Sequence, residues 1–170
     1  MAIPGQALLP GAARLFAEPV DASDDLVELD PATGAEINRF TPPGDPAPAA
    51  NGLAFDGTRL WFVKGFPFDP QTLYELDPDD GSLITSYQIT AGSKNYEGLA
   101  VLGGKIYLLD GLDADLHVFD PATGTVTQTL DITLGGEPAV GFFTGLAAIR
   151  NPDALIAVDL NTDTIHEIDP

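Results

Sequence analysis

The chain has 170 residues, enough for one domain of ordinary size and too few for two, and its 44% apolar content can fill a core. With no cysteine, disulfide frameworks, zinc–cysteine sites and cysteine nucleophiles are excluded, and no apolar run approaches the length of a membrane-spanning helix. A formal charge of −19 would repel phosphate backbones and anionic lipid surfaces, so neither nucleic acid nor insertion into a membrane is expected.

Residues 1–20 carry neither the basic start nor the long apolar stretch of a secretory signal. The first predicted strand lies at 6–9, in Gln6-Ala-Leu-Leu-Pro-Gly11, a degraded copy of the later Gly52-Leu-Ala-Phe-Asp-Gly57. An apolar segment at 26–29 then runs into Asp30-Pro-Ala-Thr-Gly34. This is a turn with a mechanism, because Asp bonds the backbone ahead, Pro presets φ and Gly supplies the left-handed residue. The next unit reads as four short strands at 52–55, 60–63, 73–76 and 83–89. Asp56-Gly57 turns the first pair and Asp77-Pro-Asp-Asp-Gly81 turns the last. A third unit repeats the plan at 98–102, 106–109, 116–119 and 126–132, with Gly103-Gly104 and Asp120-Pro-Ala-Thr-Gly124 at its turns. A fourth supplies 144–149, 154–158 and 165–168 before Asp169-Pro170.

Two markers keep one period. The four turn aspartates stand 47, 43 and 49 residues apart, and Gly-Leu-Ala recurs at Gly52, Gly98 and Gly145, with gaps of 46 and 47. Four antiparallel strands repeated at this spacing predict an all-β chain of β-propeller blades, at about 5–41, 50–90, 97–134 and 144–170. The texture Gly52-Leu-Ala-Phe-Asp-Gly57, Leu60-Trp-Phe-Val63 and Leu73-Tyr-Glu-Leu76 resembles the blades of the YVTN, NHL and streptogramin-lyase-like propellers. That resemblance implies the fold. It leaves function open, because the superfamily includes lactonases, lyases, phytase-like enzymes and pure binding modules. Rings of this kind usually hold six to eight blades and close by pairing the two ends of the chain. An open arc or half-ring with a short last blade, or else a strained four-bladed ring, is therefore expected, either continued in a longer propeller or completed by a homo-oligomer.

Candidate chemistry gathers in the loops. Asp110, Asp113 and Asp115 place three carboxylates within six residues, the oxygen set that calcium needs, without the spacing of an EF-hand. The plainer reading of this cluster is a loop whose aspartates bond their own backbone amides. Lys94, Tyr96 and Glu97 lie in the connection from one blade to the next, on the face where propellers usually bind ligands, and Phe142 lies in the next such connection. "YEGLA" at 96–100 also resembles phytase-like and esterase-like propellers, in which an acidic residue at this place faces the channel. The matching positions in the other units, Asn51 and Thr144, are not acidic. His117 and His166 share a repeat position that Val27 and Tyr74 also fill, which reads as packing. Trp61, Phe62, Phe66, Phe68, Phe142 and Phe143 raise a carbohydrate-stacking reading, against which core packing is expected for most of the set.

These features favour a non-enzymatic binding or structural module of an acidic, exported protein, with a protein, small-molecule or carbohydrate ligand and no certain cofactor. The alternative is a calcium-assisted phytase-like or lactonase-like hydrolase or lyase at the channel mouth. Three carboxylates converging on one point in the channel would favour the enzyme, and a channel lined by small apolar residues would favour the binder.

Overall fold

The computed structural model describes residues 13–18, 25–43, 50–64, 71–89, 94–134, 136–139, 142–150 and 153–170. The strand expected at 6–9, and Phe66 and Phe68, lie outside these residues.

Strands come in chain order, each sheet being antiparallel and each blade following the last. Blade one contains β1 (Leu15–Ala17), β2 (Leu26–Leu29) and β3 (Glu36–Phe40). Blade two contains β4 (Ala50–Phe55), β5 (Leu60–Lys64), β6 (Gln71–Leu76) and β7 (Leu83–Ile89). Blade three contains β8 (Tyr96–Leu102), β9 (Lys105–Asp110), β10 (Asp115–Asp120) and β11 (Thr125–Asp131). A two-stranded hairpin, β12 (Thr133–Leu134) and β13 (Glu137–Pro138), leads to blade four, which contains β14 (Phe143–Ile149), β15 (Ala154–Asp159) and β16 (Thr164–Ile168). No helix occurs among the described residues, and the last blade is short, as the repeat predicts. The β12–β13 hairpin has no counterpart in the repeat. In blade one, Leu15 pairs with Leu29 as Leu60 pairs with Leu76, so β1 holds the second-strand position of its blade.

Strand sequences follow from this stacking. A strand with a blade on each side buries both faces, so β5 reads as the continuous run Leu60-Trp-Phe-Val63 rather than an alternation. Leu60 and Phe62 turn to the rear and pack with Leu26, Phe40 and Leu76, at the junction with blade one. Trp61 and Val63 turn forward and join Leu73, Leu99, Ile106, Leu108 and Phe119, at the junction with blade three. The next junction repeats the arrangement, with Leu109 and Leu116 meeting Leu155, Ala157 and Phe143. The core is thus a row of inter-blade seams.

The inner strands β4, β8 and β14 lie side by side around the axis. Gly-Leu-Ala marks their closest approach. A Cβ on Gly52 would stand 2.8 Å from the Cβ of Leu99, and one on Gly98 would stand 2.7 Å from the backbone nitrogen of Leu146. The Asp-Pro-x-x-Gly turns close β2–β3, β6–β7 and β10–β11. Asp30 accepts the amides of Ala32 and Thr33, at 2.8 and 3.1 Å, while the Gly34 amide donates to the Asp30 carbonyl at 2.7 Å. Gly34, Gly81 and Gly124 have φ of +70°, +72° and +69°, the left-handed values that this turn demands.

Candidate functional site

In blades three and four the loop between second and third strands and the chain entering the inner strand emerge on one face, and the structure joins them there. The Gly111 amide donates to the Asn95 carbonyl at 2.9 Å, the Phe143 amide to the Gly111 carbonyl at 3.3 Å, and the Leu160 amide to the Phe142 carbonyl at 2.9 Å. A main-chain relay therefore runs across blades three and four. At its start each inner strand carries a β-bulge, between Ala50 and Gly52, Tyr96 and Gly98, and Thr144 and Leu146. Bulges re-aim side chains. In β8 the bulged residue is Glu97, which accepts a hydrogen bond from the Asn95 side-chain amide.

Lys94, Asp110, Asp113 and Asp115 converge. The Lys94 ammonium stands 3.2 Å from Asp110, 2.7 Å from Asp113 and 3.6 Å from Asp115. Asp110 is fully buried, and its other oxygen accepts the Leu112 amide at 3.1 Å, with longer contacts to the amides of Asn95 and Asp113. The backbone-bonding reading and the clustered reading of these aspartates thus hold together, with an ammonium at the centre of the cluster. Burial by itself would lower the Lys94 pKa. Its hydrogen bonds to Asp113 and Asp110 override this and hold it above the ordinary lysine range. Among the described residues, no group of three or more His, Asp or Glu side chains is arranged to hold a metal ion.

Tyr96 turns inward and is fully buried. Its hydroxyl and the Nδ1 of His117 lie 2.7 Å apart, both residues being buried. Burial, then the Asp110 charge, raise the tyrosine pKa. Burial, then the Lys94 charge, lower the His117 pKa and favour the neutral ring, against the opposing pull of Asp110, Asp115 and Asp113. His166, one blade on, is only half-buried, and its Nε2 lies 2.7 Å from the Thr164 hydroxyl, so the two histidines serve separate local roles. Phe142 is half-buried and contributes its carbonyl to the relay. Phe143, Trp61 and Phe62 are core residues.

Sequence reasoning missed two exposed apolar side chains on this face. Leu112 is 57% and Leu160 49% exposed, in the corresponding loops of blades three and four, with the exposed Asp113 and Asp163 nearby in the chain. The readable signal was a leucine inside each otherwise polar Asp-rich loop. Leu160 occupies the place of Gly111, where a Cβ would stand 2.4 Å from the Phe143 carbonyl oxygen. At Gly111 the following blade forbids a side chain, whereas Leu160 projects.

At the opposite end of the inner strands lies a cavity of about 1280 Å³, walled by inner-strand residues such as Ala54, Leu99 and Ala148 and by charged residues of the turns, among them Asp30, Asp56 and Asp77. Arg14 and Arg59 border it, held by Glu28 at 2.7 Å and Glu75 at 3.1 Å.

No protein-family model matches the sequence, and no curated protein matches it. Solved structures do. The chain superposes on the glutaminyl cyclase of Myxococcus xanthus with a TM-score of 0.65 at 18% identity, over 87% of this chain and 65% of that one. The virginiamycin B lyase of Staphylococcus aureus gives a TM-score of 0.55 at 12% identity, over 87% of this chain and 49% of the lyase. The WD40 propeller domain of Doa1 gives 0.55 at 15% identity, over 86% and 44%. The fold is a β-propeller resembling the YVTN and streptogramin-lyase type. The chain spans 65% of the cyclase and less than half of the other two, and the likeness extends to the fold alone.

Proposed function

We propose that this propeller is a binding module whose relay face docks a protein partner offering an apolar side chain flanked by Lys or Arg. The observation that carries the reading is the pair of exposed leucines, Leu112 and Leu160, on hydrogen-bonded loops of neighbouring blades. Two exposed leucines on a supported surface offer apolar area that a partner can bury, and their acidic surroundings in a chain of charge −19 favour a basic partner. One further feature favours binding over catalysis: the clustered carboxylates are engaged by Lys94. The WD40 neighbour supports protein interaction as a general kind of role.

The test is fluorescence anisotropy with labelled peptides in which a leucine or phenylalanine is flanked by arginines, beside counterparts flanked by glutamates. The basic peptides are expected to bind, more weakly at higher salt, and a Leu112→Ser, Leu160→Ser variant should lose roughly tenfold or more in affinity. Equal binding by the variant, or by the acidic peptides, overturns the proposal. Calcium-dependent turnover of a lactone or of phytate, lost in Glu97→Gln, would establish the enzyme reading instead.

A further inference from the structure

The two ends of the arc expose the two halves of one kind of interface. One forward-facing position of the third strand is Leu26, Leu73, Leu116 and Ile165 in successive blades. The first three are 0%, 0% and 1% exposed, while Ile165 is 71% exposed. One rear-facing position of the second strand is Leu15, Leu60, Ile106 and Leu155, exposed by 45%, 0%, 1% and 0%. The repeat thus sets an apolar residue at each place, and the neighbouring blade decides whether it is buried.

Other residues agree. Val158 pairs with Ile165 and Ala147 with Ile156, so these four share the forward side of blade four, and none of them is fully buried. Gly52 and Gly98 abut the next inner strand, whereas a Cβ on Gly145 would meet nothing within 4 Å. Ile37, on blade one, is 49% exposed.

We propose that a second copy of this chain covers these surfaces, the forward side of blade four in one copy seating on the rear side of blade one in the next. The occupant follows from the internal junctions. Each buries the forward face of one blade on the rear face of another, and the described residues leave one of each uncovered. Where Gly111 admits the following blade, Leu160 stands instead, so the contact falls on the second and third strands and leaves the relay face open. Such a contact is heterologous, joining unlike surfaces, and forms a closed ring or an open chain according to its angle. Both copies are strongly acidic, so added salt should strengthen it.

Light scattering after size exclusion tests the proposal on the whole chain, over a roughly hundredfold concentration range and with added salt. The expected mass is twice the 17.8 kDa of the chain, or a higher multiple. Ile165→Asp and Leu15→Asp should each reduce that mass, since both positions are solvent-exposed in the single chain and tolerate the change. Mixing the two variants is the decisive arm, because each retains the half that the other has lost. A heterodimer should form in the mixture. A wild-type chain that stays at the single-chain mass overturns the proposal. So do variants that assemble like wild type, or a mixture that stays apart.

Discussion

Lys94 gives the relay face its electrostatic character. Its ammonium is the counter-charge of Asp110, which is 0% exposed, and the Lys94 side chain itself is only 19% exposed. Lys94→Ala should therefore cost about 3 kcal/mol, the lower end for removing one partner of a buried ion pair. It should also change the response to cations. The variant strips Asp110, Asp113 and Asp115 of their shared counter-charge, and a divalent cation offsets such a concentration of negative charge more strongly than a monovalent one. Calcium is expected to raise its melting temperature more than sodium at equal ionic strength, while the wild type responds alike to both. A calcium-specific rise in the wild type would show instead that the loop binds metal beside the lysine. His117 supplies a second test. Its pKa is lowered from an ordinary 6.5 by burial first and by the Lys94 charge second, so on acidification the unfolded chain takes up the proton before the folded one. Its contribution to stability is whole above that value and is lost as pH falls below it. Melting temperature should drop between about pH 7 and pH 5, and His117→Gln should flatten that limb. The depressed Asp113 acts in the same direction at lower pH, near the carboxylate range. The neighbourhood was legible in sequence, since the predicted hairpin of 98–102 and 106–109 sets Lys94 and Asp113, 19 positions apart, at one end of blade three. The ion pairing was not, because it depends on the register that places Tyr96 opposite Asp110.

Among the elements, the strands and turns were largely legible because their causes are local. Asp30, Asp77 and Asp120 bond the amides just ahead of them, and the glycines that follow adopt the conformation the turn requires. The inner-strand bulges were hidden, since they depend on register with the neighbouring strand. Close packing of the inner strands has a direct test. Gly98→Ala would press a methyl against the backbone nitrogen of Leu146, and overpacking of this kind costs about 1–3 kcal/mol. Gly34→Ala meets nothing within 4 Å and bears only its left-handed φ, at about 1 kcal/mol. Urea denaturation should rank Gly98→Ala as the more damaging change. The reverse order would show that the inner strands can give way without cost.

For the whole molecule, repetition makes the fold readable and the surface hard to read. Leu73, Leu116 and Ile165 are the same letter of the same repeat, yet two are buried and one is bare. Sequence assigns a residue to a seam but does not say which seams a partner blade fills. The same limit holds for the relay face. Blades specify their neighbours, whereas Leu112 and Leu160 stand in loops that the repeat does not constrain. The large cavity also opens at the end opposite the Asp110–Asp115 loop, because the inner strands and the hairpin turns of several blades make it together.

The main-chain relay through Asn95, Gly111 and Phe143, and through Phe142 and Leu160, changes how the relay face can yield. Tension applied to the loop of blade four is borne by amide–carbonyl links that lead back into the strand starts of blades three and four. Such a surface resists piecemeal peeling, and its loops come loose together or stay fixed together. A ligand gripping both leucines would thus meet a stiff plate and not two separate fingers, and little ordering cost would be left for binding to overcome.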